Sequence, residues 1–149
     1  MQDLKIEYSD TAPSKAILSA MLKDAQWTLS EETLLGMVSN KPHPDLRTVW
    51  VSLKKGGELI GFATLQFPSP EYKLVAPAFI SNFVIKKAFQ GQGLGSYLFE
   101  QIEHYCSDYG LRKIILESTA TNIAFWQAVG FMRNIQNPTV LFKLLPTKK

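Results

Sequence analysis

The sequence has very little cysteine and no long apolar segment, and each absence excludes a class of protein. Cys106 is its single cysteine, so no internal disulfide and no cysteine-cluster metal site can form, and we expect no metal. No apolar run approaches the roughly 20 residues that span a bilayer. Residues 1–5 lack the apolar stretch of a secretion signal. These features predict a cytoplasmic protein that binds no membrane.

Neither sign of charge is in large excess. Sixteen basic and 13 acidic residues give a net charge of +3, and only Lys148-Lys149 form a basic run. Nucleic-acid-binding domains normally present a basic face or stripe, so we expect no nucleic-acid partner. A mild positive excess suits a protein that holds a polyanionic ligand. A chain of 149 residues that is 46% hydrophobic can bury a core of its own, which predicts one domain over residues 1–149.

Hydrophobic periodicity predicts alternating strands and helices with no repeat and no linker. The Gly56-Gly57 pair within a connection over residues 54–58 indicates a β-hairpin. In chain order, the patterns predict a strand at 4–8, helices at 11–26 and 30–38, strands at 48–53, 59–67 and 79–85, a helix at 96–109, a strand at 113–118, a helix at 122–129, a short strand near 131 and a strand at 139–145.

The most informative motif is Gln90-Gly91-Gln92-Gly93-Leu94-Gly95, between a predicted strand and a predicted helix. Glycine adopts positive φ easily, and the first N–H groups of a helix have no partner within the helix. With the helix dipole, this arrangement favours a phosphate group. Two common phosphate loops do not fit. A Walker A loop ends in Gly-Lys-Ser/Thr, and the dinucleotide fingerprint needs a glycine where Ser96 stands.

The motif resembles the Gln/Arg-x-x-Gly-x-Gly/Ala signature of the GNAT N-acetyltransferase superfamily, with Gln90, Gly93 and Gly95 in the defined positions. A second segment, from Phe125 to Phe131, is similar to the family's Phe-Tyr-x-x-x-Gly-Phe ending. The resemblance implies an α/β fold, called α+β in some schemes. Its central sheet is mixed but mostly antiparallel, with about seven strands and about four helices in the order β-α-α-β-β-β-α-β-α-β-β.

The resemblance implies transfer of an acetyl group from acetyl-CoA to a primary amine, by direct attack within a ternary complex. In the family, the glycine loop cradles the pyrophosphate, and the pantetheine arm lies between two parted strands, here 79–85 and 113–118. The Phe83 or Val84 N–H would face the thioester oxygen, with the Phe83 backbone as the expected oxyanion donor. The implied cofactor-binding residues are Phe83, Val84, Ile85, Gln90, Gly91, Gln92, Gly93, Leu94, Gly95, Ser96, Asn122 and Phe125. Lys86 or Lys87 could lie near a phosphate or could be solvated charges at a strand end.

The catalytic acid and base match the family pattern poorly. Counted back from the loop, the position of a catalytic Glu falls on Phe79, so that base is absent. Glu117, at the end of a predicted central strand, is the candidate base, unless it is an ordinary exposed carboxylate or a water chain deprotonates the amine. Trp126 occupies the usual place of an acidic Tyr. Indole N–H cannot release a proton at useful pH, so we expect Trp126 to pack instead.

The sequence also suggests positions for the remaining parts of the site. The position of the family's CoA-contacting Asn is Thr119, and Asn122 could replace it or cap a helix. The resemblance places the acceptor entrance at residues 27–35 and 67–77. Candidate attractors of a cationic amine are Glu31, Glu32 and Glu71, while His43 and His104 are expected on the surface. A homodimer is one option for the assembly.

Two other functions compete with the enzyme. The first is a non-catalytic acyl-CoA-binding module or sensor on the same fold, which the missing Glu and Tyr favour. The second is a nucleotide-binding domain unrelated to CoA, which preference for ATP over CoA would support. Because positioning alone is a large part of catalysis, the enzyme is the preferred hypothesis.

Overall fold

A seven-stranded sheet forms the centre of the structure, a computed structural model that describes residues 3–11, 13–14, 16–17, 20, 46–71, 76–118 and 122–146. The strands are β1 (Leu4–Ser9), β2 (Leu46–Lys55), β3 (Glu58–Pro68), β4 (Ala78–Ile85), β5 (Lys113–Glu117), β6 (Met132–Arg133) and β7 (Val140–Leu144). Their order is β1-β2-β3-β4-β5-β7-β6. Neighbours run antiparallel except β4 and β5, which are parallel. The predicted mixed, mostly antiparallel sheet is confirmed.

Two helices are described in full, α1 (Leu94–Tyr109) and α2 (Ile123–Ala128), with a 3-10 turn at Lys87–Phe89. Helix α1 begins two residues before the predicted start, because Gly93 occupies its N-cap position. It ends where predicted, at Gly110, whose φ of 94° suits a glycine C-cap. The predicted helices at 11–26 and 30–38 lie largely outside the described residues, although positions 16, 17 and 20 are helical.

The β2–β3 hairpin is tighter than the sequence predicted. Lys55 pairs with Glu58, so only Gly56 and Gly57 form the turn. Both have positive φ, 56° and 86°, as a two-residue hairpin turn with matching twist requires. The expected five-residue connection was wrong because both strands continue up to the two glycines.

One buried cluster joins the sheet to α1. Leu98, Ile102 and Cys106 recur every four residues along the helix and are fully buried. From the sheet, residues such as Val51 and Leu65 complete the cluster. The core therefore fixes the position of α1, and with it the glycine loop that starts the helix.

A β-bulge in β4 changes the course of the sheet. Thr64 of β3 faces Asn82, whereas the next residue of β3 faces Ile80, so Ser81 is an extra residue on β4. A bulge bends its strand and increases the local twist. The parallel register between β4 and β5 covers only Ala78 to Ile80 and stops at this bulge. The bulge therefore lies where the two central strands part.

Candidate active site

A cleft of about 650 Å³ occupies the space between the parted ends of β4 and β5. It is bounded by the part of β4 that follows Ile80, the glycine loop, the end of β5 and helix α2. On its other edge, β4 stays paired with β3 as far as Ile85. One edge of residues 81–85 therefore faces the cleft, as the resemblance to the family implies for strands 79–85 and 113–118.

The direction of the backbone amides in β4 follows from one hydrogen bond. The N–H of Lys86 donates to the Ile60 carbonyl on β3 at 2.8 Å. Because successive residues of a strand point their N–H groups to opposite edges, the Val84 N–H also points toward β3. The N–H groups of Phe83 and Ile85 then point toward the cleft. Of the two oxyanion donors left open by the sequence, this geometry favours Phe83.

The glycine loop has the conformation that the sequence predicted. Gly91 and Gly93 have φ of 77° and 80°, and a Cβ added at either position would meet nothing within 4 Å. The first bond of α1 runs from the Tyr97 N–H to the Gly93 carbonyl, so the amides of residues 94–96 precede it. Open space, positive φ and the helix N-terminus together make a place for an anionic group.

Gln90 ties this loop to the end of β4. Its side-chain Nε2 donates to the Ile85 carbonyl at 2.8 Å. In contrast, the Gln92 side chain donates to the Ala88 carbonyl at 3.4 Å and is exposed. Of the two glutamines, Gln90 lines the cleft and Gln92 does not.

Gly95 allows a close contact between the two helices. A Cβ at this position would lie 3.3 Å from Cε1 of Phe125, a distance tighter than ordinary van der Waals contact. The Phe125 ring therefore rests against the backbone of the first turn of α1. This contact brings α2 to the side of the cleft.

Trp126 lies in an aromatic cluster at the base of the cleft. It is 6% exposed, and its ring makes edge contacts with Phe83, Phe125, Phe99 and Phe131 at centroid distances of 4.9 to 5.8 Å. Such pairs stabilise beyond the area that they bury, by about 1 kcal/mol each. The position of Trp126 agrees with the packing role expected from its sequence.

Most of the residues predicted to contact the cofactor lie around the cleft. Those that line it are Phe83, Val84, Ile85, Gln90, Gly91, Gly93, Gly95, Ser96, Asn122 and Phe125. Gln92 and Leu94 do not, and the Leu94 side chain is buried in the core. Only the main chain of Leu94 is thus available to a ligand, because its side chain begins the apolar stripe of α1.

Glu117 and Asn122 line the same cleft from the side of β5 and α2. Glu117 is exposed and pairs through its backbone with Val140. Asn122 stands at the N-cap position of α2, yet its side chain makes no capping hydrogen bond. Asn122 thus occupies the N-cap position and also borders the cleft, so its two interpretations remain compatible with the structure.

The remaining charged candidates are placed as follows. The Nζ of Lys86, just after the end of β4, forms an ion pair with Oε2 of Glu58 at 3.0 Å. His104 is exposed beside Glu100, as expected of a polar helix face. Glu71 is exposed. His43, Glu31, Glu32, Thr119 and the entrance segment 27–35 lie outside the described residues, as do residues 72–75 of the segment 67–77.

Ser81 and Asn82 line the cleft and were missed by the sequence analysis. Phe79, the residue counted to the family's Glu position, pairs with Ile115 and Gln66 inside the sheet instead. A signal for the bulge was present, because Ser81-Asn82 interrupts an otherwise apolar strand.

Among the described residues, no helix combines the length and apolar character needed to cross a bilayer. Nor does this part of the chain gather three His, Cys, Asp or Glu side chains into a metal-binding cluster.

Comparisons with known proteins agree with this geometry. Residues 13–131 match the acetyltransferase (GNAT) family model. The structure is similar to Ard1 from Thermoplasma volcanium, with 17% identity, a TM-score of 0.66 and coverage of 97% of this chain and 99% of the other. It is also similar to the PaiA N-acetyltransferase from Thermoplasma acidophilum in complex with coenzyme A, with 15% identity, a TM-score of 0.67 and coverage of 94% and 99%.

A third similar structure is the ribosomal-protein-S18-alanine N-acetyltransferase from Escherichia coli, with 18% identity, a TM-score of 0.64 and coverage of 97% of each chain. At these identities the likeness shows the fold, and the match to the family model extends over most of the chain. The chain belongs to the GNAT acetyltransferase family.

Proposed function

We propose that the protein is a single-domain N-acetyltransferase that transfers an acetyl group from acetyl-CoA to a primary amine by direct attack in a ternary complex. The observation that carries the proposal is the continuity of two features. The open glycine loop at the start of α1 leads directly into the cleft between β4 and β5. A ligand with a phosphate end and an extended arm suits this combination.

The residues of the cleft fit acetyl-CoA. The amides of residues 94–96 and the space beside Gly91 and Gly93 suit the pyrophosphate. The cleft-facing edge of β4 offers backbone groups at Phe83 and Ile85 to the amides of the arm. When bound, acetyl-CoA supplies an activated acetyl thioester.

Three residues have distinct roles in the proposed reaction. The Phe83 N–H stabilises negative charge on the carbonyl oxygen, and a fixed donor of this kind contributes about 3–4 kcal/mol to transition-state stabilisation. Glu117 accepts the proton that the amine loses. Trp126 packs with Phe83 and Phe125 and keeps water from that side of the cleft.

The competing candidate is a non-catalytic acyl-CoA sensor on the same fold. Two observations favour it: the bulge of β4 presents Ser81 and Asn82 rather than a carboxylate, and Trp126 stands where many family members have Tyr. The enzyme remains the proposal because holding two reactants in a productive geometry is itself a large catalytic term.

Release of free CoA thiol separates the two functions. The assay uses acetyl-CoA with a panel of primary amines: spermidine, lysine and short peptides with free amino termini. Calorimetry with acetyl-CoA is run on the same protein. Turnover of any panel amine supports the enzyme, and tight acetyl-CoA binding without turnover of the panel supports the sensor. Cys106 is fully buried, so the protein's own thiol adds no background to the signal.

A further inference from the structure

Asn82 and Thr64 form a hydrogen-bonded pair of side chains at the bulge of β4. Asn82 Nδ2 donates to Thr64 Oγ1 at 3.0 Å. Thr64 is 6% exposed, while Asn82 is half-buried and lines the cleft. A buried hydroxyl therefore holds one end of an amide whose other end lies beside the cleft.

The pair lies on the opposite face of the sheet from the aromatic cluster. Phe83 packs against Phe125 and Trp126, and successive side chains of a strand point to opposite faces. Asn82 therefore points away from that cluster, toward the face of its cross-strand partner Thr64. The aromatic cluster fills the face of Phe83 beside the cleft proposed for the acetyl donor. Asn82 borders the opposite face, from which an acceptor amine would approach.

The chemistry of an amide side chain then limits what Asn82 can do. An Asn side chain is planar and carries two N–H donors and one carbonyl acceptor. With the nitrogen directed at Thr64, Oδ1 is turned away from Thr64. Oδ1 is an acceptor without charge, so it can hold an N–H group but cannot remove its proton at neutral pH.

We propose that Asn82 Oδ1 accepts a hydrogen bond from the attacking amine and that Thr64 is the positioning residue that orients it. This inference rests on the proposed function. A neutral primary amine has two N–H bonds. As the C–N bond forms and the C–S bond breaks, one proton goes to the base and the electron pair of the C–S bond leaves with the thiolate. The second N–H remains in the amide product, and Asn82 holds that one.

A consequence is selectivity for primary over secondary amines. A secondary amine has a single N–H, which it loses in the reaction, so it keeps none to donate to Asn82. The wild-type protein should therefore prefer a primary amine to its mono-N-methyl derivative by about tenfold, the effect of one hydrogen bond in a partly buried site.

The test compares the panel amine with the highest kcat/KM and its mono-N-methyl derivative. Asn82→Leu should lower kcat/KM for the primary amine about tenfold. The ratio of kcat/KM for the primary amine to that for its mono-N-methyl derivative should then fall to about one. Asn82→Asp keeps an acceptor oxygen and should keep the preference. Thr64→Val should change both quantities in the same direction as Asn82→Leu, whereas Thr48→Val, a matched change on β2 outside the cleft lining, should not.

Two binding measurements separate this role from a structural one. Acetyl-CoA should bind all variants with unchanged affinity, and the primary amine should bind CoA-saturated Asn82→Leu more weakly than CoA-saturated wild type. The inference is overturned if Asn82→Leu keeps the preference, or if Asn82→Asp loses it as fully as Asn82→Leu. Absence of turnover by wild type with every panel amine overturns the proposed function, and this inference with it.

Discussion

The ammonium group of Lys143 donates a hydrogen bond to the Val129 carbonyl at 2.9 Å, which links β7 to the end of α2. The same ammonium pairs with Glu103 of α1 and lies 5.4 Å from the centre of the Phe99 ring. Both charged side chains are about three-quarters buried, at 23% and 25% exposure. A cation near a helix C-terminus is favourable, and here one ammonium connects both helices to the sheet.

Replacing Lys143 with Met should destabilise the fold without acting on the cleft directly. The substitution keeps an unbranched apolar chain but leaves the Glu103 carboxylate and the Val129 carbonyl without their partner. A loss of about 2 kcal/mol in the free energy of unfolding is expected, because a partly buried acceptor left unsatisfied has a cost of that order. Urea unfolding gives the measurement.

The control is the pair of variants Glu103→Gln and Glu103→Gln with Lys143→Met. If the two side chains are coupled, the double variant loses less than the sum of the single losses. Strict additivity would contradict the linkage described here.

Gly93→Leu should abolish high-affinity binding of CoA while the protein remains folded. Gly93 has φ of 80°, and a side chain there would project into the open space proposed for the pyrophosphate. Left-handed backbone costs a leucine about 1–2 kcal/mol, which a folded domain tolerates. Calorimetry with CoA measures the affinity.

Gly57→Leu is the matched control for this experiment. Gly57 has φ of 86° and equally open surroundings, but it belongs to the hairpin turn and not to the cleft. It should lose similar stability and keep its CoA affinity. Equal CoA affinity in both variants and wild type would refute the proposed phosphate site.

The sequence was sufficient for the order of the described strands and helices along the chain and for the glycine loop, because both depend on local patterns. Alternation located β1, β-rich or apolar runs located most of the other strands, and Gly110 marked the end of α1. The boundaries were less accurate at the hairpin, where pairing between Lys55 and Glu58 extends strands that local composition would end earlier.

The acceptor side of the cleft could not be predicted from the sequence. The position of Asn82 depends on the bulge at Ser81, which shifts the register of β4 against β3. A shift of one residue moves each following side chain to the other face of a sheet. Counting residues back from the loop cannot detect such a shift, and the position that it selected, Phe79, pairs inside the sheet.

Cys106 should be unreactive in the native protein and should make stability fall at alkaline pH. Burial raises the pKa of its thiol to about 12, from an ordinary value of 9.0. Between these values the native state keeps the proton and the unfolded state loses it, so rising pH favours unfolding. The expected slope is about 1.4 kcal/mol per pH unit above pH 9.

Urea unfolding at pH 8, 9.5 and 10.5 measures this slope, and Cys106→Ala removes the contribution of the thiol. The variant will be less stable at pH 8 because it loses buried volume, but its stability should fall less steeply with pH. Parallel pH dependences, or rapid labelling of the native thiol by a disulfide reagent, would show that Cys106 is not held protonated by burial.

Glu117→Gln should lower turnover of the amine about a hundredfold while the affinity for acetyl-CoA stays unchanged, since loss of a general base has an effect of that order. The change keeps the size of the side chain at the end of β5 and removes only its ability to take a proton. The measurement is kcat/KM for the amine as a function of pH, with calorimetry of acetyl-CoA binding.

Glu100→Gln is the control, because Glu100 is an exposed carboxylate on α1 outside the cleft. If both variants behave as wild type, proton removal passes to water and Glu117 is an ordinary surface carboxylate. If Glu117→Gln is slow at neutral pH but recovers activity at high pH, where hydroxide takes up the proton instead, the assignment of Glu117 as the proton acceptor is supported.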